Sequence, residues 1–191
     1  KETNALLEGH FILSSGLHSK QYVQCAKLLS YPKMAEAICS SLCKKIGNTF
    51  NKIDIILSPA VGGIVVGYEV GRQLGVETIF AERSDEKLIL RRGFKIPENS
   101  KVLIIEDVIT TGKSALECSE IIKMNQSKVI GYACIIDRSS DAVLIKEKII
   151  SQIKLKIETF RKNELPDELK KITPIKPGSR NLSKWKIKDL V

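Results

Sequence analysis

No apolar run in this chain approaches the length that crosses a membrane, and its opening residues, KETNALLEGHF, hold nothing like the apolar stretch of a secretory signal. Membrane-spanning and secreted classes are set aside, no membrane partner is expected, and the expected location is cytoplasmic. The chain also starts without Met, so its natural start is expected upstream. Cysteine is sparse: Cys25, Cys39, Cys43, Cys118 and Cys134 make an odd set of five without paired spacing, which argues against a disulfide framework. Buried free thiols in a reducing compartment are the expectation. Histidine is sparser still, at two residues, His10 and His18. Cys39 and Cys43 share a predicted helix face, but a metal would need further ligands that these histidines do not bring. Internal repeats and low-complexity segments are absent as well.

Acidic residues are outnumbered, 22 against 31 Lys and Arg, for a net charge of +9. The excess is uneven. Residues 151–191 carry 11 basic against 5 acidic side chains, and the rest carry 20 against 17. Phe160 and Trp185 are too far apart in this basic stretch to interleave with nucleic-acid bases, so it reads as solvated lysine-rich surface and no nucleic-acid partner is expected. Positive charge also suits a small polyanionic substrate.

With 191 residues, 43% of them hydrophobic, the chain can bury a proper core. Apolar spacing predicts a helix over 34–46 with basic residues in its last turn, and another over 64–75 ending near Gly75. Short apolar runs predict strands over 53–58, 77–82, 101–107 and 128–137, and a third helix covers 113–124. Residues 83–94, RSDEKLILRRGF, read as a mobile loop or a hairpin. Residues 153–160 alternate with period two, as an edge strand would. Strand and helix in alternation imply an α/β fold whose mostly parallel central sheet is flanked by helices. Ligands of such sheets bind beyond the carboxyl ends of the strands, where PAVGG (59–63), EDVITTGKS (106–114) and DRSS (137–140) stand.

The segment 106–114 is the most informative. A strand feeding a helix N-terminus exposes backbone N–H groups and the positive end of the helix dipole, which together bind anions. Thr110, Thr111 and Ser114 add hydroxyls, and Gly112 lets the backbone close around a phosphate. A nucleotide-binding P-loop is excluded, because its first glycine falls on Asp107, and no G-x-G-x-x-G opens a helix here. Carboxylates beside a phosphate cradle repel it unless they serve something else. Ribose hydroxyls answer that need, so Glu106 and Asp107 followed by Thr110 to Ser114 suit a sugar that carries a phosphate.

This pattern resembles the phosphoribosyl pyrophosphate (PRPP) signature of the type I phosphoribosyltransferases. Over about residues 5–180 the chain is similar to the branch of that family that uses orotate. GHFILSSGLHSKQYVQCAKLL (9–29) resembles its hood segment, SPAVGGIVVGYEVGRQLG (58–75) its pyrophosphate loop and following helix, and FAERSDEKLILRRGF (80–94) its catalytic loop. IIDRSS (135–140) resembles the segment that carries the base-binding arginine, and PIKPGSR (174–180) the C-terminal end of a short-loop subgroup. The resemblance implies a single domain over 1–180, with a hood from about 1–30, a core over about 34–160 and the C-terminal end, followed by a basic tail over 181–191.

It implies a transferase that joins orotate to PRPP, giving orotidine 5′-monophosphate and pyrophosphate in pyrimidine synthesis. Mg²⁺ is held mainly through PRPP, with no direct protein ligand, and a homodimer shares its active sites. By motif position, PRPP falls to Glu106, Asp107, Val108, Ile109, Thr110, Thr111, Gly112, Lys113 and Ser114, with the loop cations Arg83 and Lys87. Ala60, Val61, Gly62 and Gly63 form the pyrophosphate loop. Thr110 and Arg138 take orotate, and Lys87, Arg83 and Asp107 are the catalytic candidates. A planar carboxylate invites a guanidinium, which gives Arg138 its role on chemical grounds too, against a surface ion pair with Asp141. His10 and His18 stand either as base contacts or as packing.

Several positions depart from the family. The loop has no histidine, Ser84 follows Arg83 where lysine is frequent, Gly62 and Ser14 replace lysines, and ELPDEL (164–169) stands where relatives often carry C-P-x-C. Arg91 or Arg92 are candidate substitutes for the missing cations. Two alternatives remain: a purine-type phosphoribosyltransferase, against which Arg138 argues, and a PRPP-sensing regulator on the same fold.

Overall fold

The structure, a computed structural model, describes residue 3 and residues 5–13, 15–139 and 143–177. Ser14, Asp141, the C-terminal end over 178–180 and the tail 181–191 with Trp185 lie outside the described residues. In chain order the elements are β1 (Leu6–Ile12), β2 (His18–Val23), α1 (Cys25–Leu29), α2 (Pro32–Gly47), β3 (Ile55–Pro59), α3 (Gly62–Leu74), β4 (Glu77–Ser84), β5 (Lys87–Leu90), β6 (Lys101–Ile109), α4 (Lys113–Met124), β7 (Lys128–Asp137), β8 (Ile149–Lys154), β9 (Thr159–Phe160), a short 3₁₀ turn (Lys162–Glu164) and α5 (Asp167–Lys170). They divide between two compact units, Cys25–Lys156, and Lys1–Gln24 together with Ile157–Val191.

The larger unit is built on a six-stranded sheet of order β5-β4-β3-β6-β7-β8. Every neighbouring pair is parallel except β4 with β5, a hairpin. Apolar side chains on both faces of β3, β6 and β7 explain why these strands are central: Ile55 to Pro59, Val102 to Glu106 and Gly131 to Asp137 are buried throughout. One face packs Leu57, Ile79, Ile104 and Tyr132 against Ala115, Cys118 and Ile122 of α4. α2 and α3 pack against each other and against the sheet, bringing buried Cys39, Leu42, Ile46, Val66 and Val70. Gly63, Gly67 and Gly71 recur every fourth residue along α3. A Cβ on Gly63 would lie 3.1 Å from the Ile105 carbonyl, and one on Gly71 2.9 Å from the Val76 carbonyl, so these positions set how closely the helix approaches the strands. Gly75 ends α3 in the left-handed region at φ 66°, as its place after the last apolar turn predicts.

The helix over 113–124 and the strand over 128–137 match the sequence expectation residue for residue. The strand expected over 153–160 does not form as one element. Pairing with β7 begins earlier, at Ile149, and ends at Asp137↔Lys154, because β7 itself ends there. A last bond from the Leu155 amide to the Asp137 carbonyl closes the ladder. Without a partner strand, the period-two pattern of residues 155–158 has nothing to pair with, and only Thr159–Phe160 return to a strand, beside His18 and Ser19.

The smaller unit is an antiparallel sheet of order β1-β2-β9. Phe11, Val23 and Leu169 are buried in it. The Ile12 amide donates to the Ile175 carbonyl, and the Ile175 amide to that of His10, each at 2.8 Å. His10 Nδ1–H donates to the Ile172 carbonyl at 2.8 Å, which leaves Nε2 to accept from His18 Nδ1–H at 2.7 Å. Burial, then His10 and Lys162, hold His18 below its ordinary pKa, which favours its neutral form in this packed pair. All five cysteines are free and four are buried. Burial, reinforced by Glu69, pushes Cys39 up to about 12 and Cys43 to about 11, which makes them inert thiols.

Candidate functional site

β3 and β6 are adjacent and parallel, and the chain leaves them in opposite directions. From β3 it passes through α3 to β4. From β6 it passes through α4 to β7. Such a divergence opens a crevice at the carboxyl ends of the two strands. Both connecting helices start in that crevice, and neither has a side-chain cap. Their first-turn N–H groups and positive dipole ends therefore face one small region from two sides.

The turn before α4 is shaped by Gly112. Its φ is 78°, and a Cβ there would meet Ile145 Cγ1 at 2.7 Å, so both backbone and space require glycine. Thr111 anchors the turn by accepting the Leu144 amide at 2.9 Å on its carbonyl, and its Oγ1 reaches the Lys113 amide at 3.4 Å. The first helical bond runs from the Leu116 amide to Gly112, so the Ser114 and Ala115 amides before it have no carbonyl of the helix to bond. Thr110, Thr111 and Lys113 are exposed, Val108 and Ser114 partly so, and Ile109 is buried in the core. On the other side, the Ala60 amide donates to Ala81 at 2.8 Å, the Ala60–Val61 peptide is cis, and Gly62 and Gly63 open α3.

Strand alternation places the two carboxylates on opposite faces of β6. Asp107 faces α3: a Cβ on Gly62 would lie 2.7 Å from Asp107 Oδ1. The missing side chain at position 62 is thus what lets the Asp107 carboxylate rest against the start of α3, and a lysine there would displace it. Glu106 faces α4 and is buried, 8% exposed. Burial first, then the neighbouring Asp107 and Glu117, raise its pKa to about 8. Burial raises Asp107 as well, partly offset by its own and the Val108 amide. Glu106 is therefore neutral at neutral pH and repels an anion far less than its sequence position suggests.

The hairpin of β4 and β5 settles the loop-or-hairpin alternative as a hairpin, turned at Asp85, whose φ is 54°. Cross-strand pairing puts Arg83 on the same face as buried Leu88, the α4 face, and Lys87 with Ser84 on the other. Arg83 Nη2 donates to Glu117 Oε2 at 2.8 Å. Lys87 is exposed and has no ion pair among the described residues. Arg92 pairs with Glu82 at 2.6 Å and lies over Phe80, with Arg91 4.0 Å from the same carboxylate. Arg138 follows β7, and its amide donates to the Ile109 carbonyl at 2.8 Å, which fixes it beside the end of β6. Asp137, buried just before it, accepts the Ser139 amide at 2.8 Å. The sequence reading missed Glu117, although it lies one helical turn past Lys113 and so on the face of α4 that starts at the loop.

Among the described residues no cluster of three or more His, Cys, Asp or Glu side chains could hold a metal ion unaided, and none of their helices is long and apolar enough to cross a membrane. The crevice sets two helix N-termini between carboxylates and cations at the switch point of a parallel sheet, an arrangement that suits an anion.

Comparison with known proteins specifies that class. A family profile described as the phosphoribosyl transferase domain matches residues 26–169. The orotate phosphoribosyltransferase of Caldicellulosiruptor bescii is 49% identical over 180 residues, 94% of each chain. That of Methylorubrum extorquens is 45% identical over 185 residues, 96% of this chain and 94% of its own. Among solved structures, orotate phosphoribosyltransferase from Aeropyrum pernix superposes with a TM-score of 0.70 at 21% identity, covering 81% of this chain and 90% of its own. Adenine phosphoribosyltransferase from Thermoanaerobacter pseudethanolicus shares the fold at a TM-score of 0.61 and 18% identity, covering 71% and 88%. The chain belongs to the phosphoribosyltransferase family, in its orotate phosphoribosyltransferase branch.

The buried carboxyl of Glu106 makes stability pH-dependent. Its folded pKa lies above its unfolded one, so it adds no ionisation penalty below its ordinary value of 4.5 and destabilises progressively as pH rises from there through about 8. Every tenfold change in a group's proton affinity on folding is worth about 1.4 kcal/mol. Glu106→Gln is expected to raise the melting temperature, by little near pH ~5 and by more near pH ~9. A gain that does not grow with pH would contradict a desolvated carboxyl.

Proposed function

We propose that this enzyme transfers the 5-phosphoribosyl group of PRPP to orotate, forming orotidine 5′-monophosphate and pyrophosphate for pyrimidine synthesis. The observation that carries the reading is the pair of uncapped helix starts, α3 and α4, that meet at the ends of β3 and β6 with Asp107 between them. One anion position at each helix start, with hydroxyl acceptors between, suits a ribose with phosphate at one end and pyrophosphate at the other. The curated relatives' names and the place of Arg138 support orotate as the base.

In this reading the amides and hydroxyls of Thr110 to Ser114 hold the 5-phosphate, with Val108 and Ile109 shaping the strand end. Asp107 and Glu106 take the ribose hydroxyls from the two sides of β6. The backbone of Ala60 to Gly63 wraps the pyrophosphate. Arg138 pairs with the orotate carboxylate and Thr110 bonds the base. The C–O bond to pyrophosphate breaks as the C–N bond to orotate forms. The protein's task is to align the base and to stabilise the departing charge with Lys87 and Arg83. Mg²⁺, when bound with PRPP, neutralises pyrophosphate charge, and the side chains present fit an ion that arrives on its substrate, with Asp107 at hand beside the helix start.

Loss of orotate absorbance in a mixture of enzyme, orotate, PRPP and Mg²⁺ tests this. Turnover is expected, with kcat lowered about 10²-fold in Lys87→Ala and KM for orotate raised about 10- to 100-fold in Arg138→Ala. PRPP binding without orotate turnover would overturn the choice of base.

A homodimer with shared active sites, in which the hairpin of one subunit serves its partner, completes the proposal. Val61, just before α3, and Val65 and Tyr68 on it support the dimer: spaced as one helical stripe, they are 76%, 48% and 65% exposed. Sedimentation is expected to give a dimer for the wild type and a monomer for Tyr68→Glu; a monomeric wild type would contradict it. Buried free thiols support a reducing, cytoplasmic setting.

A further inference from the structure

We infer that Glu117 is a positioning residue that competes with the substrate's pyrophosphate for the guanidinium of Arg83. The inference rests on the phosphoribosyl-transfer reading above. Arg83 is delivered to α4 by its strand: it lies across from Leu88, whose burial at 5% exposure pins the hairpin to that face. There both ends of the guanidinium are engaged. Nη2 donates to Glu117 Oε2 at 2.8 Å, and Nη1 donates to the Glu86 carbonyl in the turn. Glu117 stands one turn after the phosphate loop on α4. It also faces Glu106 and contributes to keeping that carboxyl protonated.

The two loop cations are therefore not equivalent. Lys87 points to the opposite face and has no ion pair among the described residues. Arg83 can serve the pyrophosphate only by leaving Glu117. A multiply charged pyrophosphate outcompetes a single carboxylate, but the contest weakens its binding. The ion pair is partly exposed, 30% and 22% for the two side chains, so its loss is worth only a small factor. Glu117 in turn keeps Arg83 folded against α4 and limits where the hairpin tip can rest.

Calorimetric titration of inorganic pyrophosphate with Mg²⁺ into the full-length wild type, Glu117→Gln, Arg83→Ala and the double variant tests this. Glu117→Gln is expected to bind about two- to fivefold more tightly than wild type. In the Arg83→Ala background the same change is expected to have no effect. Unchanged or weaker binding in Glu117→Gln would overturn the inference, as would an equal gain in both backgrounds, which would mean simple charge removal. Glu117→Ala replaces the Gln variant if melting curves show that the latter is misfolded. Failure of the wild type to bind pyrophosphate would remove the functional reading itself, whereas binding that ignores position 117 removes only this inference.

Discussion

The parallel pairing of β3 with β6 is the constraint on which everything else in the larger unit depends. It sets two strand ends side by side and sends their chains apart, so that two helices begin at one place. Their N-termini are electropositive by backbone geometry alone. Neither N-cap residue makes a side-chain cap bond, and the segments that feed them are short: Ala60 and Val61 before Gly62 at one, Thr110 to left-handed Gly112 at the other. The electropositive character of this crevice is thus a property of the fold, and the side chains refine it.

The refinement is a balance of like and unlike charges in a small volume. Three carboxyl groups, Glu106, Asp107 and Glu117, stand about the place where the proposed function puts phosphates. The structure reduces their repulsion in three ways. Burial protonates Glu106. Asp107 turns to the opposite face, against Gly62. Glu117 is neutralised by Arg83. Gly62 and Asp107 act together here, since a side chain at position 62 would occupy the space of the carboxylate. The lack of a side chain at that position and the placement of Asp107 are one structural fact.

Much of this was legible in the sequence, for identifiable reasons. α4 and β7 were readable because strong apolar periodicity runs between sharp polar boundaries. The turn from β6 into α4 was readable because its strand, glycine and hydroxyls are contiguous. The smaller sheet was not: β1 and β2 are short, half-exposed and broken by an irregularity between Glu8 and Phe11, so no clean alternation marks them. The run over 153–160 misled because period two reports a face, not a partner. The opposite orientations of Glu106 and Asp107 follow from that same period and could have been read directly. The Arg83–Glu117 pair could not, because 34 residues and a change of element separate its members.

The most direct test of the central claim, that the crevice between β3 and β6 holds a phosphorylated ribose, is amide NMR during titration with ribose 5-phosphate. That ligand carries the phosphate and hydroxyls but neither pyrophosphate nor base. The account predicts saturable shifts concentrated at the amides of Asp107 to Ser114, with those of Lys95 to Glu98, in the segment leading into the opposite end of β6, left unmoved. Shifts that centre elsewhere, or none at saturating ligand, would contradict it.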